Sequence, residues 1–310
     1  MNEAIAKVLT GESEGAIVCG DALTVLRTMP DESLDLIFGS PPYENRRTYG
    51  IDFCLKGQDW VDWLIPIVVE SLRVCKGLVA FVVAGKTKDF RYSCTPELLM
   101  ADLHRLGIHV RRPPIFNRVG IPGSGGPDWL RNDYEPVVCA TNGGKLPWSD
   151  NTAMGKDCAY PVGGAMSNRT EDGRRRNAKT GARLHTKRRA DGEMEAQSYV
   201  APAVANPGNV ITGIVGGGVM GHPLAHRNEA PFPEWLVEFF VKSFCPPGGI
   251  TCDPFSGSGT TAAVARNTGR KFIAIDVRQS QCDLTADRVH GPLFACQGGA
   301  CRSLAGVENG

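Results

Sequence analysis

The chain has 310 residues, of which 42% are apolar and 22% charged, and its formal net charge is +1. That length suits one large globular domain or two small ones. The charge excludes a protein that binds nucleic acid through overall cationic character, so any affinity for phosphate has to be local. No run of eighteen apolar residues occurs, and the N-terminus lacks the charged-then-apolar pattern of a secretory leader. A cytoplasmic protein with no membrane partner is therefore expected. The eleven cysteines include no Cys-x-x-Cys pair and read as small reduced core residues. Cys296 and Cys301 lack a second pair or a nearby histidine, so no metal is expected.

In chain order, Ala16–Cys19 reads as a strand ending in a turn at Gly20-Asp21, with a helix start after it. Asp21 suits either a helix N-cap or an acceptor for an amino group at the strand edge. Asp35–Phe38 is a short buried strand closed by Gly39 and the stretch Ser40-Pro41-Pro42-Tyr43. The two prolines fix their own φ and bias Ser40 away from the helical region, so this loop is stiff. Alone, such a stretch is a turn with a surface tyrosine. A polar, basic segment follows, in which Arg46, Arg47 and Tyr49 suit a nucleic-acid backbone, a flipped base or simply solvent.

Residues 59–75 carry Trp60, Trp63, Leu64, Ile67, Val68 and Leu72 at helical spacing, which reads as core rather than ligand surface. A strand over 78–83, a helix over 96–106 and a strand over 134–140 complete this half. Within it, Pro113-Pro114 and the run 121–127 form a long proline- and glycine-rich loop, of the kind that covers sites or binds ligands.

From 141 to 208 the periodicity disappears. Residues 167–190 hold nine basic side chains against two acidic ones, a local +7 that includes Arg174, Arg175, Arg176, Lys187, Arg188 and Arg189. Such a concentration suits a phosphate-binding insertion, or a solvated loop. A helix over 235–244, a strand over 250–253, a helix over 262–267 and a strand over 271–276 follow. The residues after 290 read as a flexible tail.

Between those last strands lies Asp253-Pro254-Phe255-Ser256-Gly257-Ser258-Gly259-Thr260. Gly257 and Gly259 permit a sharp strand-to-helix turn, and Ser258, Thr260 and the first helical amides suit an anion such as a carboxylate. Asp276 ends the next strand, placed to accept from a pair of hydroxyls. The turn lacks the third glycine of a dinucleotide site and the Gly-Lys-Ser/Thr of a P-loop.

Taken in this order, Ser40–Tyr43, Asp253–Thr260 and Ile273–Asp276 resemble the beta class of DNA amino-methyltransferases, which use S-adenosylmethionine (SAM). The likeness covers 16–289 apart from the insertion. It implies an α/β fold with a doubly wound, mostly parallel, Rossmann-like sheet: a first catalytic half over 1–140, a target-recognition insertion over 141–208, a SAM-binding half over 209–290 and the tail over 291–310. It implies cofactor contacts from Asp21, Asn228, Asp253, Phe255, Gly257, Ser258, Gly259, Thr260 and Asp276. It further implies double-stranded DNA as partner, with the target base flipped out, and is compatible with a homodimer encoded by a bacterium or phage.

Ser40, Pro41, Pro42 and Tyr43 would be catalytic. Ser40 Oγ and the Pro41 carbonyl would accept the amino hydrogens, and Tyr43 would stack on the base. In the resembled family Ser-Pro-Pro-Tyr mostly marks enzymes acting on N4 of cytosine; N6 of adenine is the alternative. Related loops also act on protein glutamine or RNA, which leaves the basic insertion unexplained. A catalytically inert SAM-fold DNA binder is opposed by the intact Ser40, Tyr43, glycine turn and Asp276.

Overall fold

The computed structural model describes residues 1–44, 53–120, 125–157, 185–188, 194–197, 204–216, 221–228, 231–290, 294–297 and 300–303. Two compact units emerge, one of Met1–Asp150 with Gly208–Gly310 and one of Asn151–Pro207.

The first unit opens with α1 (Glu3–Thr10), started by the Asn2 side chain accepting from Ala4 N. Next come β1 (Gly15–Cys19), α2 (Ala22–Arg27), β2 (Leu34–Gly39), α3 (Gly57–Val74) and β3 (Cys75–Val82). A small hairpin of β4 (Thr87–Lys88) and β5 (Arg91–Tyr92) precedes α4 (Thr95–Arg105), β6 (His109–Val110), β7 (Ile115–Val119) and β8 (Tyr134–Thr141). In the second unit, β9 (Lys156–Asp157) pairs antiparallel with β12 (Val204–Ala205), and β10 (His185–Arg188) with β11 (Met194–Gln197).

The first unit resumes with β13 (Val210–Ile214), a 3-10 turn (Pro223–Arg227) and α5 (Glu234–Phe244). It continues through β14 (Ile250–Asp253), α6 (Thr260–Asn267), β15 (Lys271–Asp276) and α7 (Gln279–His290). Strands β16 (Phe294–Gln297) and β17 (Ala300–Ser303) pair as an antiparallel hairpin within the stretch read from sequence as a flexible tail.

The strand order is β1-β15-β14-β2-β3-β8-β7-β13, with β6 pairing to β8. From β1 to β3 the pairing is parallel throughout; β8 is antiparallel to β3, and β7 to β8. This is the mostly parallel, doubly wound α/β sheet expected from the sequence.

Alternation along the strands separates two cores. Ile37, Val79 and Phe81 join the cluster that includes Trp60, Leu64, Ile67 and Leu99 of α3 and α4. Leu36, Phe38, Leu78, Ala80 and Val82 join Leu236, Val237 and Phe240 of α5. Side chains that alternate between two buried faces are what a central parallel strand requires. Of the described cysteines, Cys75, Cys139, Cys245, Cys252 and Cys282 are buried as expected, whereas Cys19, Cys54 and Cys94 are exposed, which corrects a uniform core reading. Among the described residues no helix is long and apolar enough to cross a membrane.

Parallel pairing brings the carboxyl ends of β1, β2, β14 and β15 to one edge, with Asp253 arriving beside the end of β2. A Cβ on Gly39 would fall 2.3 Å from Asp253 Oδ1, so only glycine permits this approach. Gly39→Ala should lower stability by about 1–3 kcal/mol, as overpacking of a closed core does. Urea unfolding checks this; an unchanged midpoint would mean that the strand ends separate freely.

Candidate active site

At the carboxyl edge of the parallel strands lies a cavity of about 220 Å³. Its lining draws on the first half of the chain (Asp21, Ala22, Ser40, Pro41, Pro42, Phe53, Trp63) and on the second (Asn228, Pro231, Phe232, Pro254–Ser258, Thr260, Asp276–Arg278). Ligands bind at such an edge in open α/β sheets because the strand order reverses there and leaves a crevice. The strand-to-helix turn is glycine-bound on steric grounds. Gly257 has φ +50°, and a Cβ there would fall 2.7 Å from Asn228 Nδ2.

Asp276 is nearly buried and lines the cavity. Its Oδ2 accepts from Gly257 N at 2.9 Å and its Oδ1 from Arg278 N at 2.9 Å. Each carboxylate oxygen keeps a lone pair, so the group can still accept from hydroxyls in the cavity. Asp21 does two things at once. Its Oδ1 accepts from Thr24 N and Thr24 Oγ1, capping α2, and the residue also lines the cavity.

The turn is braced from behind by Arg288, which is buried. Its Nη1 donates to Thr260 Oγ1 at 2.9 Å and Ser258 O at 3.2 Å, and its Nη2 pairs with Glu234 Oε1. Thr260 Oγ1 thus has one lone pair engaged, which leaves its proton for an acceptor in the cavity. Part of the lining is aromatic. Trp63 lies 5.9 Å from Phe255 and 4.9 Å from Phe53, ring centre to ring centre.

The Ser40–Tyr43 loop is fixed at nearly every residue. Ser40 Oγ donates to Val82 O at 3.1 Å, and Trp60 Nε1 donates to Pro42 O at 2.8 Å. Tyr43 Oη donates to Glu135 Oε2 at 2.8 Å, and Glu135 Oε1 is paired with Arg118 Nη1 at 2.8 Å. Glu44 is buried and accepts from Gly57 N at 2.9 Å and Lys86 N at 3.1 Å. Ser40, Pro41 and Pro42 line the cavity, and Tyr43 lies next to them in the chain but is not among the lining residues.

Of the residues assigned to cofactor binding from sequence, Asp21, Asn228, Phe255, Gly257, Ser258, Thr260 and Asp276 line this cavity. Asp253 and Gly259 do not. Asp253 is buried beneath, accepting from Thr261 Oγ1 at 2.8 Å and Phe255 N at 3.0 Å. Burial pushes its carboxyl up to about 7, with the charge of Asp276 adding and the two donors opposing.

Trp63, read from sequence as core, and Phe53 are lining residues that the sequence did not reveal. Of the residues assigned to DNA, Arg46, Arg47, Tyr49, Arg174, Arg175, Arg176 and Arg189 lie outside the described residues, while Lys187 and Arg188 are on β10. Of the proline- and glycine-rich loop, 121–124 also lie outside them.

Residues 34–287 match the sequence family of N6/N4 DNA methylases. The chain is 27% identical over 268 residues to the DNA adenine methyltransferase YhdJ of Escherichia coli K12, covering 86% of this chain and 80% of that one. It is 24% identical over 299 residues to the type II methyltransferase M.PvuII of Proteus hauseri, covering 89% and 84%. Among solved structures, the cytosine-N4-specific PvuII DNA methyltransferase superposes with a TM-score of 0.63 at 18% identity, covering 89% of this chain and 86% of that one. The DNA modification methylase TTHA0409 of Thermus thermophilus, complexed with SAM, superposes with a TM-score of 0.50 at 19% identity, covering 88% and 95%. At these identities the structural likeness shows the fold.

The position of Asp253 sets a pH dependence. Folding raises its pKa from 3.8 to about 7, so between those values the native state holds a proton that the unfolded chain has released. This contribution to stability is therefore full below pH 4 and declines as pH rises towards 7. Asp253→Asn should flatten that decline, and the difference between wild type and variant in unfolding free energy from pH 4 to 7.5 reads it. Parallel curves would place the Asp253 pKa in the ordinary range.

Proposed function

We propose that this chain, which belongs to the N6/N4 DNA methylases, transfers the methyl group of SAM to the N4 amino group of cytosine flipped out of duplex DNA. The observation that carries the reading is the hydrogen bond from Ser40 Oγ, which lines the cavity, to the buried Val82 O. With its one proton committed to that carbonyl, the Ser40 oxygen faces the site as an acceptor. The Pro41 carbonyl has no donor among the described residues and is the second acceptor.

The donor set suits SAM. Asp276 accepts from the ribose hydroxyls, and Asp21 from the adenine amino group. The α6 N-terminus with Ser258 and Thr260 holds the carboxylate. The aromatic wall of Phe53, Trp63 and Phe255 gives an apolar face to the adenine and an electron-rich one to a cation. When bound, SAM supplies an electrophilic methyl on a sulfonium centre.

An exocyclic amino group is a poor nucleophile, because its lone pair is delocalised into the ring. Ser40 Oγ and Pro41 O, accepting its two hydrogens, favour a pyramidal nitrogen whose lone pair is localised and on which positive charge develops. Tyr43, held through its hydroxyl by Glu135, offers its ring to the flipped base. The surplus proton on nitrogen leaves along the hydrogen bond to either acceptor and passes to solvent. No side chain forms a covalent bond to the base. The basic residues of 167–190, Arg174–Arg176 among them, hold the DNA backbone.

The named relatives divide between adenine and cytosine, so the target base rests on the Ser-Pro-Pro-Tyr loop. Adenine enzymes of the resembled family commonly place an aspartate where Ser40 stands; a neutral hydroxyl accepts less strongly than a carboxylate, but both bases present a similar amino group, so the assignment to cytosine comes from the resemblance.

Two outcomes test this. Asp276→Ala should weaken SAM binding by roughly 1.5–3 kcal/mol, the range for a hydrogen bond to a charged acceptor; unchanged calorimetric affinity moves the cofactor elsewhere. DNA from cells expressing the chain, digested to nucleosides and resolved by mass, should contain N4-methylcytosine that is strongly reduced with Ser40→Ala. Methyladenine alone would reassign the base and keep the mechanism.

A further inference from the structure

We infer that the β4–β5 hairpin, with Trp129 and Leu130, is an aromatic wedge that enters duplex DNA beside the target base, an inference resting on the DNA-methylating reading. The hairpin turns through two residues, Asp89 (φ +49°) and Phe90 (φ +60°). Two-residue turns of this left-handed kind are filled by Asn-Gly or Asp-Gly, because a β-carbon is strained there. Of the four non-glycine residues with positive φ among the described residues, three (Asp89, Phe90 and Cys94) are in or next to this hairpin.

Burial does not compensate for that strain. Phe90 is 70% exposed, and its one ring partner among the described residues is Trp129, edge to face at 5.3 Å. Trp129 is itself 40% exposed, and the adjacent Leu130 is 92% exposed. A bulky ring held in a glycine conformation at a solvent-facing tip is strain retained at a working position.

The surroundings identify the partner. Lys88 and Arg91 flank the tip and are exposed, and neither has a carboxylate partner among the described residues. Asp89 is the one acid within 86–93. In the facing loop Arg131 pairs with Asp133, and Asp128 is exposed. An apolar tip between unpaired cations matches a base stack between two phosphate backbones. Apolar side chains that insert between base steps work this way.

The location fits as well. The base of the hairpin is clipped to the catalytic loop, because Lys86 N donates to Glu44 Oε1, and Glu44 directly follows Tyr43. Four residues of extended chain reach at most roughly 14 Å, so Phe90 stands within that reach of Lys86, which is bonded to the residue after Tyr43. There it can occupy the space that a flipped base vacates.

The test compares wild type with Phe90→Gly and Phe90→Trp. Glycine suits the turn, so Phe90→Gly should melt at the wild-type temperature or higher and bind SAM unchanged by calorimetry. Its affinity for a fluorescein-labelled 30-base-pair duplex, and its rate of tritiated methyl transfer to unmethylated genomic duplex, should each fall roughly tenfold, as loss of aromatic stacking on bases does. Phe90→Trp should retain both. Replacing Lys88 and Arg91 by alanine should reduce the slope of log affinity against log salt by about 2.

The wedge is overturned if Phe90→Gly binds and methylates duplex like wild type. It is equally overturned if the losses come with a lower melting temperature and weaker SAM binding, or if Phe90→Gly changes oligomeric state without changing DNA affinity. A wild type that binds duplex in a Phe90-dependent way yet transfers no methyl group to it would sink the enzymatic reading and leave the wedge standing. A wild type that does neither overturns both.

Discussion

The cavity depends on the close approach of two strand ends that are more than two hundred residues apart in the chain. Asp253, at the end of β14, sits against the missing side chain of Gly39 at the end of β2. Its carboxylate then fixes Thr261 at the start of α6 and the Phe255 amide in the turn. A second carboxylate, Asp276, receives the Gly257 amide from the same turn. The turn is thus held by acids on two neighbouring strands, and by Arg288 from behind. One of the acids is buried and has a raised pKa, and the other faces the cavity. This divides the work: Asp253 shapes the backbone, and Asp276 keeps acceptor capacity towards a ligand.

The catalytic loop is held by a different logic. Its anchors are two acceptors, the Val82 carbonyl of β3 and the Glu135 carboxylate of β8, and two donors, the Trp60 indole of α3 and the Lys86 amide just before the β4–β5 hairpin. Proline stiffness alone limits the φ angles of Pro41 and Pro42. The Ser40, Tyr43 and Glu44 bonds set where the loop stands relative to the sheet. Preorganisation of this sort matters because an acceptor helps a developing charge only if it need not move to meet it. The ion pair of Arg118 with Glu135 extends that support into β7, on the antiparallel side of the sheet.

The sequence disclosed the parallel frame because its strands are short apolar runs ended by glycine, proline or aspartate, as at Phe38-Gly39 and Asp253-Pro254. The glycine turn and Asp276 were legible for the same reason, since strand-end chemistry is local. Long-range geometry was not. Trp60 and Trp63 share the same helical pattern, yet Trp60 is buried under the loop while Trp63 faces the cavity; spacing cannot separate two flanks of one apolar face. Asp21 read as either cap or ligand residue because one carboxylate can cap a helix and line a site together. The β4–β5 hairpin was invisible because Asp-Phe does not carry the glycine signal of its own turn.

The strand order has a consequence for how the protein comes into being. β1 and β2 leave the ribosome early, yet in the native sheet they are separated by β15 and β14, which are made some two hundred residues later. Until those strands arrive, the inner edges of β1 and β2 present unpaired amides and carbonyls with nothing to complete them. Folding therefore cannot proceed in step with synthesis along the sheet, and the early half waits for an insertion at its centre. A chain interrupted anywhere before β14 lacks the middle of its sheet and half of its cavity, so such a fragment carries no complete site.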